Sequence, residues 1–197
     1  MRMTKQLRDL LAEDGGLLRT ARAESIGLTR PSIMKFVRTQ GLERIARGVY
    51  ASPDAWVDDM YVLSLRSERA VFSHESALLL HNLAEREPDK LTVTLPSGYN
   101  ASSLRRNGIQ TYFIKPELLP LGITSLVTPE GNQVPSYDLE RTICDLVRSR
   151  SHIDNQTLTS ALKSYVRRPD KQLSVLADYA NQLGVIKLMR SYLEVLL

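Results

Sequence analysis

The sequence predicts an α+β fold made of two small domains. The apolar residues follow a helical period up to Gly41 and a strand-like alternation just after it. Strand and helix patterns then alternate to about residue 135, and from 136 to 197 the pattern is helical throughout. A chain of 197 residues is long enough for two small domains. We therefore predict domains at 1–52 and 53–197, the second with a small mixed sheet and a helical C-terminal half.

The positive charge is concentrated in the first quarter of the chain. The net charge is +4, yet residues 1–52 hold 10 Lys/Arg against 5 Asp/Glu, and the remaining 145 residues hold 16 against 17. Such an asymmetry indicates a polyanionic partner for the first domain and another task for the second.

Composition also bounds the class of protein. The 43% hydrophobic and 24% charged content is typical of a soluble globular chain. The longest apolar runs are a few residues long, so we expect no membrane association and no signal peptide. Cys144 is the single cysteine, which excludes an internal disulfide and fits a reducing cytosol. We therefore expect a cytoplasmic protein.

The first domain is predicted as three helices followed by a hairpin. The helices cover 4–13, about 18–25, and a third stretch capped by Thr29 and ended by Gly41. In this third helix an inward face is expected for Ile33, Phe36, Val37 and Gln40. Two short extended segments then flank a hairpin tip at Ala46-Arg47-Gly48. This order is that of a winged helix-turn-helix.

A winged helix of this charge predicts DNA binding. The third helix would enter the major groove, and the hairpin would reach phosphates or the neighbouring minor groove. We expect Arg30, Ser32 and Lys35 to contact base edges, and Arg38, Arg44 and Arg47 to contact phosphates. Thr39 completes the set of DNA-binding candidates. The alternatives are a solvated surface or a protein-binding winged helix. Phe36 and Tyr50 are expected in the core rather than as stacking platforms.

The second domain is predicted element by element from the same patterns. Helices are expected at 55–66, at 74–83 with Ser73 as its cap, and from about residue 136. Three more helices are expected at about 155–167, 171–183 and 185–196. Strands are expected at 70–72, 90–95, 108–114 and 124–128. The last helix carries a wide apolar stripe, interpreted as core in preference to a dimer surface.

No motif of this second domain compels catalysis. The chain has no phosphate-binding glycine loop and no zinc-type Cys/His spacing. His74 and His81 are placed on one face of a helix, but no third ligand is indicated. Asp138 and Glu140 suit a helix N-terminus. Arg141 and Asp145, at i and i+4, are expected to form a surface pair. We predict no cofactor, no metal and no enzymatic activity.

Three segments together resemble a known family. A winged helix ending in "LERIARGVYA", then "VFSHESALLLHNL", then "YDLERTICDL" resembles the AbiEi antitoxins of bacterial abortive-infection toxin–antitoxin systems. The likeness runs over nearly the whole chain. It implies a protein that binds inverted repeats in its own promoter through the winged helix and represses that operon. It further implies that the C-terminal domain counteracts a co-encoded nucleotidyltransferase-like toxin, without a stable complex, in defence against phage. It transfers no catalytic residue.

Two other functions stay open at this point. One is a one-component regulator whose C-terminal domain senses a ligand. The other is a metal-dependent nuclease that uses Asp138, Glu140 or Glu75. An inverted repeat requires two protein copies related by a two-fold axis, which a monomer in solution or a weak dimer can both supply.

Overall fold

The computed structural model describes residues 2–196 and confirms the α+β class. Ten α-helices and two sheets lie within this described range. The chain divides into two compact units, Met1–Glu68 and Arg69–Leu197, called unit 1 and unit 2 below. No helix in residues 2–196 combines the length and apolar character needed to cross a membrane.

Unit 1 contains four helices and a three-stranded antiparallel sheet. Its elements are, in order, α1 Arg2–Glu13, β1 Leu17–Arg19, α2 Thr20–Ser25, α3 Arg30–Thr39, β2 Glu43–Ala46, β3 Val49–Ala51 and α4 Asp59–Arg66. The strand order is β1-β3-β2. The predicted helices and hairpin are thus present in the predicted order, whereas the winged helix-turn-helix assignment stays a prediction.

Strand β1 is where the prediction for this unit was wrong. We expected a helix from about residue 18, but Leu18 lies in β1 and faces Tyr50 of β3 in an antiparallel ladder. Helix α2 begins only at Thr20. A strand of three residues is too short to show a period, and its pairing partner lies about thirty residues further along the chain.

The core of unit 1 is built by the inward faces of its helices. The buried apolar residues are Leu7, Leu10, Leu18, Ala23, Leu28, Ile33, Phe36, Val37 and Leu42. Gln40, expected on the inward face of α3, is instead exposed at the C-terminal cap of that helix. Gly27, with φ +87°, makes the turn before α3 in a region that L-residues with a Cβ rarely adopt.

The boundary between the units differs from the predicted one. It falls between Glu68 and Arg69 and not after residue 52, because α4 belongs to unit 1. The Arg66 Nε atom donates a hydrogen bond of 2.5 Å to the Ile45 carbonyl of β2. Residues 1–68 hold 11 Lys/Arg against 9 Asp/Glu. The cationic excess of residues 1–52 is therefore partly offset within the same unit by the acidic residues of 53–68.

Unit 2 is a five-stranded mixed sheet with helices. Its elements are β4 Val71–Phe72, α5 His74–Leu80, β5 Thr92–Pro96, α6 Ser102–Arg106, β6 Gln110–Ile114, β7 Ile123–Val127, β8 Gln133–Tyr137, α7 Leu139–Arg148, α8 Asn155–Arg167, α9 Leu173–Gln182 and α10 Ile186–Leu196. The strand order is β6-β5-β4-β8-β7. The pairs β4–β8 and β5–β6 are parallel, and the pairs β4–β5 and β7–β8 are antiparallel.

Two elements of unit 2, strand β8 and helix α6, were not predicted from the sequence. The prediction of a helical pattern from residue 136 was wrong there, because β8 runs to Tyr137 and α7 starts after the cap residue Asp138. Pro135 lies inside β8 opposite Ser125, and a proline normally argues against an interior strand. The short helix α6 was also missed.

Helix α7 is the centre of the helical half. Every residue from Leu139 to Val147 is buried, so the helix is enclosed on all sides. Helices α8, α9 and α10 and helix α5 pack against it and share one apolar cluster. Met189 of α10 is 1% exposed, in agreement with α10 being a core helix.

Candidate nucleic-acid interface

Helix α3 separates an apolar face from a cationic one. Ile33, Phe36 and Val37 are buried against the unit 1 core. Lys35, Arg38 and Thr39 fall on the opposite side of the helix and are exposed. Arg30, in the first turn, is exposed as well. The core therefore fixes the direction in which the cations point into solvent.

The N-terminal end of α3 is held by side-chain contacts. Thr29 has the extended backbone of an N-cap residue, but its hydroxyl makes no bond to a backbone N–H and instead pairs with the Ser32 hydroxyl at 2.9 Å. The Ile33 N–H donates to the Thr29 carbonyl at 3.0 Å. At the other end, the Thr39 hydroxyl donates to the Lys35 carbonyl at 2.9 Å. Ser32 and Thr39 thus carry local bonds in addition to their solvent contact.

The β2–β3 hairpin presents two more cations. Arg44 is exposed and lies opposite Tyr50, and its Nε atom donates to the Ala46 carbonyl at 3.3 Å. Arg47 is exposed at the tip. The tip is anchored, because the Thr20 N–H donates to the Gly48 carbonyl at 2.8 Å. The hairpin is therefore fastened to the start of α2 and does not extend freely.

These cations have no acidic partners in the described part of the chain. Residues 29–51 contain five Lys/Arg and one acid, Glu43. Among residues 2–196 the ion pairs of unit 1 join Arg19 and Arg22 to Asp14 and Glu13, and none includes a cation of α3 or the hairpin. We call the set Arg30, Lys35, Arg38, Arg44 and Arg47 the cationic surface.

The aromatic residues of this region belong to the core, as predicted. Phe36 is 4% exposed. Tyr50 is half-buried against the same cluster, and its hydroxyl lies 3.6 Å from the Met34 sulfur. Neither ring is offered to solvent as a stacking platform.

In unit 2 the segment "SHES" forms a buried polar network. The Ser73 hydroxyl makes no capping bond and instead lies 2.9 Å from both His74 Nδ1 and Thr94 Oγ1. His74 Nε2 lies 3.0 Å from the Ser149 hydroxyl. Our expectation that Ser73 caps α5 with its side chain was therefore wrong. His74 has φ +50°, an unusual backbone conformation for a residue with a Cβ.

His74 and His81 do not share a ligand site. His74 is fully buried, and burial lowers its pKa well below the ordinary value, so the ring is neutral at pH 7. His81 lies beyond the end of α5 and its Nε2 atom bonds the Tyr137 carbonyl at 2.9 Å. Within residues 2–196, no group of three His, Cys, Asp or Glu side chains is placed to hold a metal.

Arg141 and Asp145 form an ion pair, but the expectation that it lies on the surface was wrong, because both side chains are 0% exposed. The Arg141 Nε atom donates to Asp145 Oδ2 at 3.1 Å, and its Nη1 atom donates to the carbonyls of Leu118 and Leu121 at 2.9 and 2.7 Å. The guanidinium also lies 4.1 Å from the centroid of the Tyr137 ring. The pair thus ties α7 to the segment before β7.

The carboxylates considered for nuclease chemistry are engaged in structural bonds or lie apart. Asp138 caps α7 by accepting from the Arg141 N–H at 2.8 Å, and it also accepts from the Tyr179 hydroxyl at 3.0 Å. Glu140 accepts from the Gln172 N–H at 2.8 Å. Glu75 is on α5, and among the described residues no three such side chains are grouped to hold a metal ion. The three do not converge on one point.

Comparison with known proteins provides support for the fold of the chain. No protein-family model matches the chain, and no curated protein matches it. Among solved structures, the chain is similar to the RV2827C protein from Mycobacterium tuberculosis, with 13% sequence identity and a TM-score of 0.52. The match covers 98% of this chain and 81% of that one. At this identity the likeness supports the α+β fold and carries no function.

Proposed function

We propose that this chain is a DNA-binding autorepressor and antitoxin of the AbiEi type. The observation that carries the DNA-binding half is the cationic surface, with five exposed cations that have no acidic partner among the described residues. A surface of unpaired cations on a helix and an adjoining hairpin is the electrostatic footprint expected for a duplex.

The proposed binding mode assigns a groove to each element. Helix α3 enters the major groove with Arg30, Ser32 and Lys35 toward the base edges. Arg38 and Thr39, further along the same face, contact the phosphate backbone. The hairpin then acts as the wing of a winged helix.

On the wing, Arg44 and Arg47 contact phosphates or the adjoining minor groove. The bond between Thr20 and Gly48 holds the tip in place, which reduces the conformational entropy lost on binding. Two copies on the two halves of an inverted repeat complete the repressor complex.

The antitoxin half of the proposal rests on the resemblance of three segments to the family. The segments "SHESAL" and "DLERTICD" lie in unit 2, where the buried His74 network and the Arg141–Asp145 pair give them structural roles. The partner we propose is a co-encoded nucleotidyltransferase-like toxin, antagonised in the cytoplasm without a stable complex and without catalysis by this chain.

The test is a salt-titrated binding assay on the chain's own promoter DNA. Lys35→Ala/Arg38→Ala is expected to weaken binding, and the loss of the Arg38 phosphate contact is expected to reduce the slope of log K against log salt by about 0.9. The matched control is Lys5→Ala/Arg8→Ala, which removes two exposed cations from α1. Equal loss of binding in both variants would contradict the assignment of the surface.

The second arm separates the two activities. A Lys35→Ala/Arg38→Ala chain that no longer represses its operon should still relieve growth inhibition by the neighbouring toxin, because both substitutions lie in unit 1. Loss of neutralisation in a stably folded variant would show that the toxin-directed activity requires the same surface.

A further inference from the structure

Unit 2 contains an open cleft of about 760 Å³ that the proposed function does not use. It lies between the first turn of α5, the segment 83–90, strands β5 and β6, and the start of α8. Its volume is within the range of about 300–1,000 Å³ that small-molecule sites occupy. Its walls are mostly polar and charged, with an apolar part that includes Leu78 and Leu83.

One wall of the cleft is a rigid aromatic ring. Tyr112 of β6 stacks on His74, with 3.5 Å between the ring centroids and 14° between the planes. His74 is itself held at both nitrogens, by Ser73 and Ser149. Burial raises the pKa of the Tyr112 phenol to about 12, so the hydroxyl is neutral at pH 7. The ring therefore offers a fixed apolar surface with one polar tip.

A carboxylate oxygen in the cleft lacks a partner. Glu75 Oε2 is buried and makes no hydrogen bond to any group in residues 2–196. A buried acceptor left without a donor destabilises the folded chain, because the desolvation of the oxygen is not compensated by a hydrogen bond. A ligand N–H placed here would remove that cost.

The charges around the cleft favour a cation over an anion. Four carboxylates line it, from Glu75, Glu85, Asp89 and Asp154, against the two cations Arg86 and Lys90. Glu85 is occupied by a hydrogen bond from the Ser160 hydroxyl, and Asp154 caps α8. Among the lining carboxylates, Glu75 is the one with a buried oxygen that has no hydrogen-bond donor in residues 2–196.

We propose that this cleft binds a small planar cation, an aromatic ring bearing an amidine or a similar N–H group, with Glu75 as acceptor and Tyr112 as the apolar wall. A bidentate pair of the amidine with the carboxylate supplies orientation as well as attraction. The site lies wholly in unit 2 and does not depend on the cationic surface of unit 1. DNA binding and ligand binding can therefore succeed or fail separately.

Benzamidine is the probe, titrated into the full-length protein by isothermal calorimetry. It should bind, and benzoate, which has the same ring with the opposite charge, should bind about tenfold more weakly or not at all. Glu75→Gln should weaken benzamidine binding by about tenfold or more. Glu87→Gln is the matched control, because Glu87 is exposed on the same segment and does not line the cleft. Its affinity should equal that of the wild type.

Three outcomes would overturn the proposal. They are no benzamidine binding up to about 10 mM, equal affinity for benzoate, and equal losses in Glu75→Gln and Glu87→Gln. A measurement on the wild-type protein covers the case in which Glu75→Gln does not fold. Nuclear Overhauser contacts are expected between the benzamidine ring protons and the side chains of Tyr112 and Leu78, and their absence would also reject the site.

Discussion

Replacing Asp145 by alanine should strongly destabilise unit 2. Asp145 Oδ2 accepts from Arg141 Nε at 3.1 Å, and Oδ1 lies 3.4 Å from Arg148 Nη2. A bond to a charged group contributes about 1.5–3 kcal/mol when buried. The Arg148 contact contributes less, because that side chain is 25% exposed and water screens it.

The variant also leaves the Arg141 guanidinium buried without its counter-charge, for which about 3–5 kcal/mol is typical. Two backbone carbonyls and the Tyr137 ring still contact that guanidinium, so the expected loss is at the lower end, about 3 kcal/mol.

The assay has to observe unit 2 by itself, since a chain of two units need not unfold in one step. Trp56, the single tryptophan, lies in unit 1 and is 84% exposed, so its fluorescence does not report on α7. Amide hydrogen exchange across α7 as a function of urea is suitable.

Asp170→Ala, which removes an exposed partner of Arg168, is the control and should leave exchange in α7 unchanged. If Asp145→Ala lies within about 1 kcal/mol of the wild type, desolvation of the pair cancels its attraction and our estimate is wrong.

Three further predictions concern unit 2. Because the pKa of buried His74 is lowered, the unfolded state binds the extra proton, and stability is full above the ordinary value of 6.5 and falls as the pH drops below it. His74→Asn should reduce that slope by up to about 1.4 kcal/mol per pH unit in urea titrations from pH 7 to 5. Gly122→Ala should cost about 1–3 kcal/mol more than Gly131→Ala, since both glycines have positive φ but only at Gly122 would a Cβ come within 2.7 Å of the Arg141 Cβ. Burial raises the pKa of the Cys144 thiol to about 12, so a thiol reagent at pH 8 should label it only after unfolding.

Each of these has a contradicting result. An unchanged pH slope in His74→Asn would mean that the ring titrates alike in the folded and unfolded states. Equal unfolding midpoints for the two glycine variants would show that α7 beside the Gly122 turn accommodates the added Cβ without loss of stability. Rapid labelling of Cys144 in the native protein would show that α7 opens locally far more often than its burial indicates.

Elements with local signals were predictable from the sequence. Helix α8 has the predicted bounds, 155–167, because the helical period begins directly after an aspartate that caps it. The three helices and the hairpin of unit 1 were also found, since glycines mark each turn. The exposure of Arg30, Lys35 and Arg38, the part of the cationic surface on α3, followed from the apolar face of that helix.

Features defined by distant partners were not predictable. An Arg and an Asp at i and i+4 have the same spacing on a surface helix and on an enclosed one, so the burial of Arg141 and Asp145 is invisible without the neighbouring elements. Ser73 fits the pattern of a cap, but its hydroxyl bonds Thr94, which is 21 residues away. The cleft at Glu75 likewise combines five parts of the chain, from α5, the segment 83–90, β5, β6 and the start of α8.

The order of strands in unit 2 has a consequence for how the chain folds during synthesis. Every element of unit 1 precedes residue 69, so unit 1 can fold as soon as that length has left the ribosome. Strand β4 is central in its sheet and pairs Phe72 with Ser136 of β8, 64 residues later. At about 5–20 residues per second, roughly 3–13 s pass before that partner is made. During this interval one edge of β4 is open to wrong pairing, and a chain interrupted before β8 would carry that edge permanently.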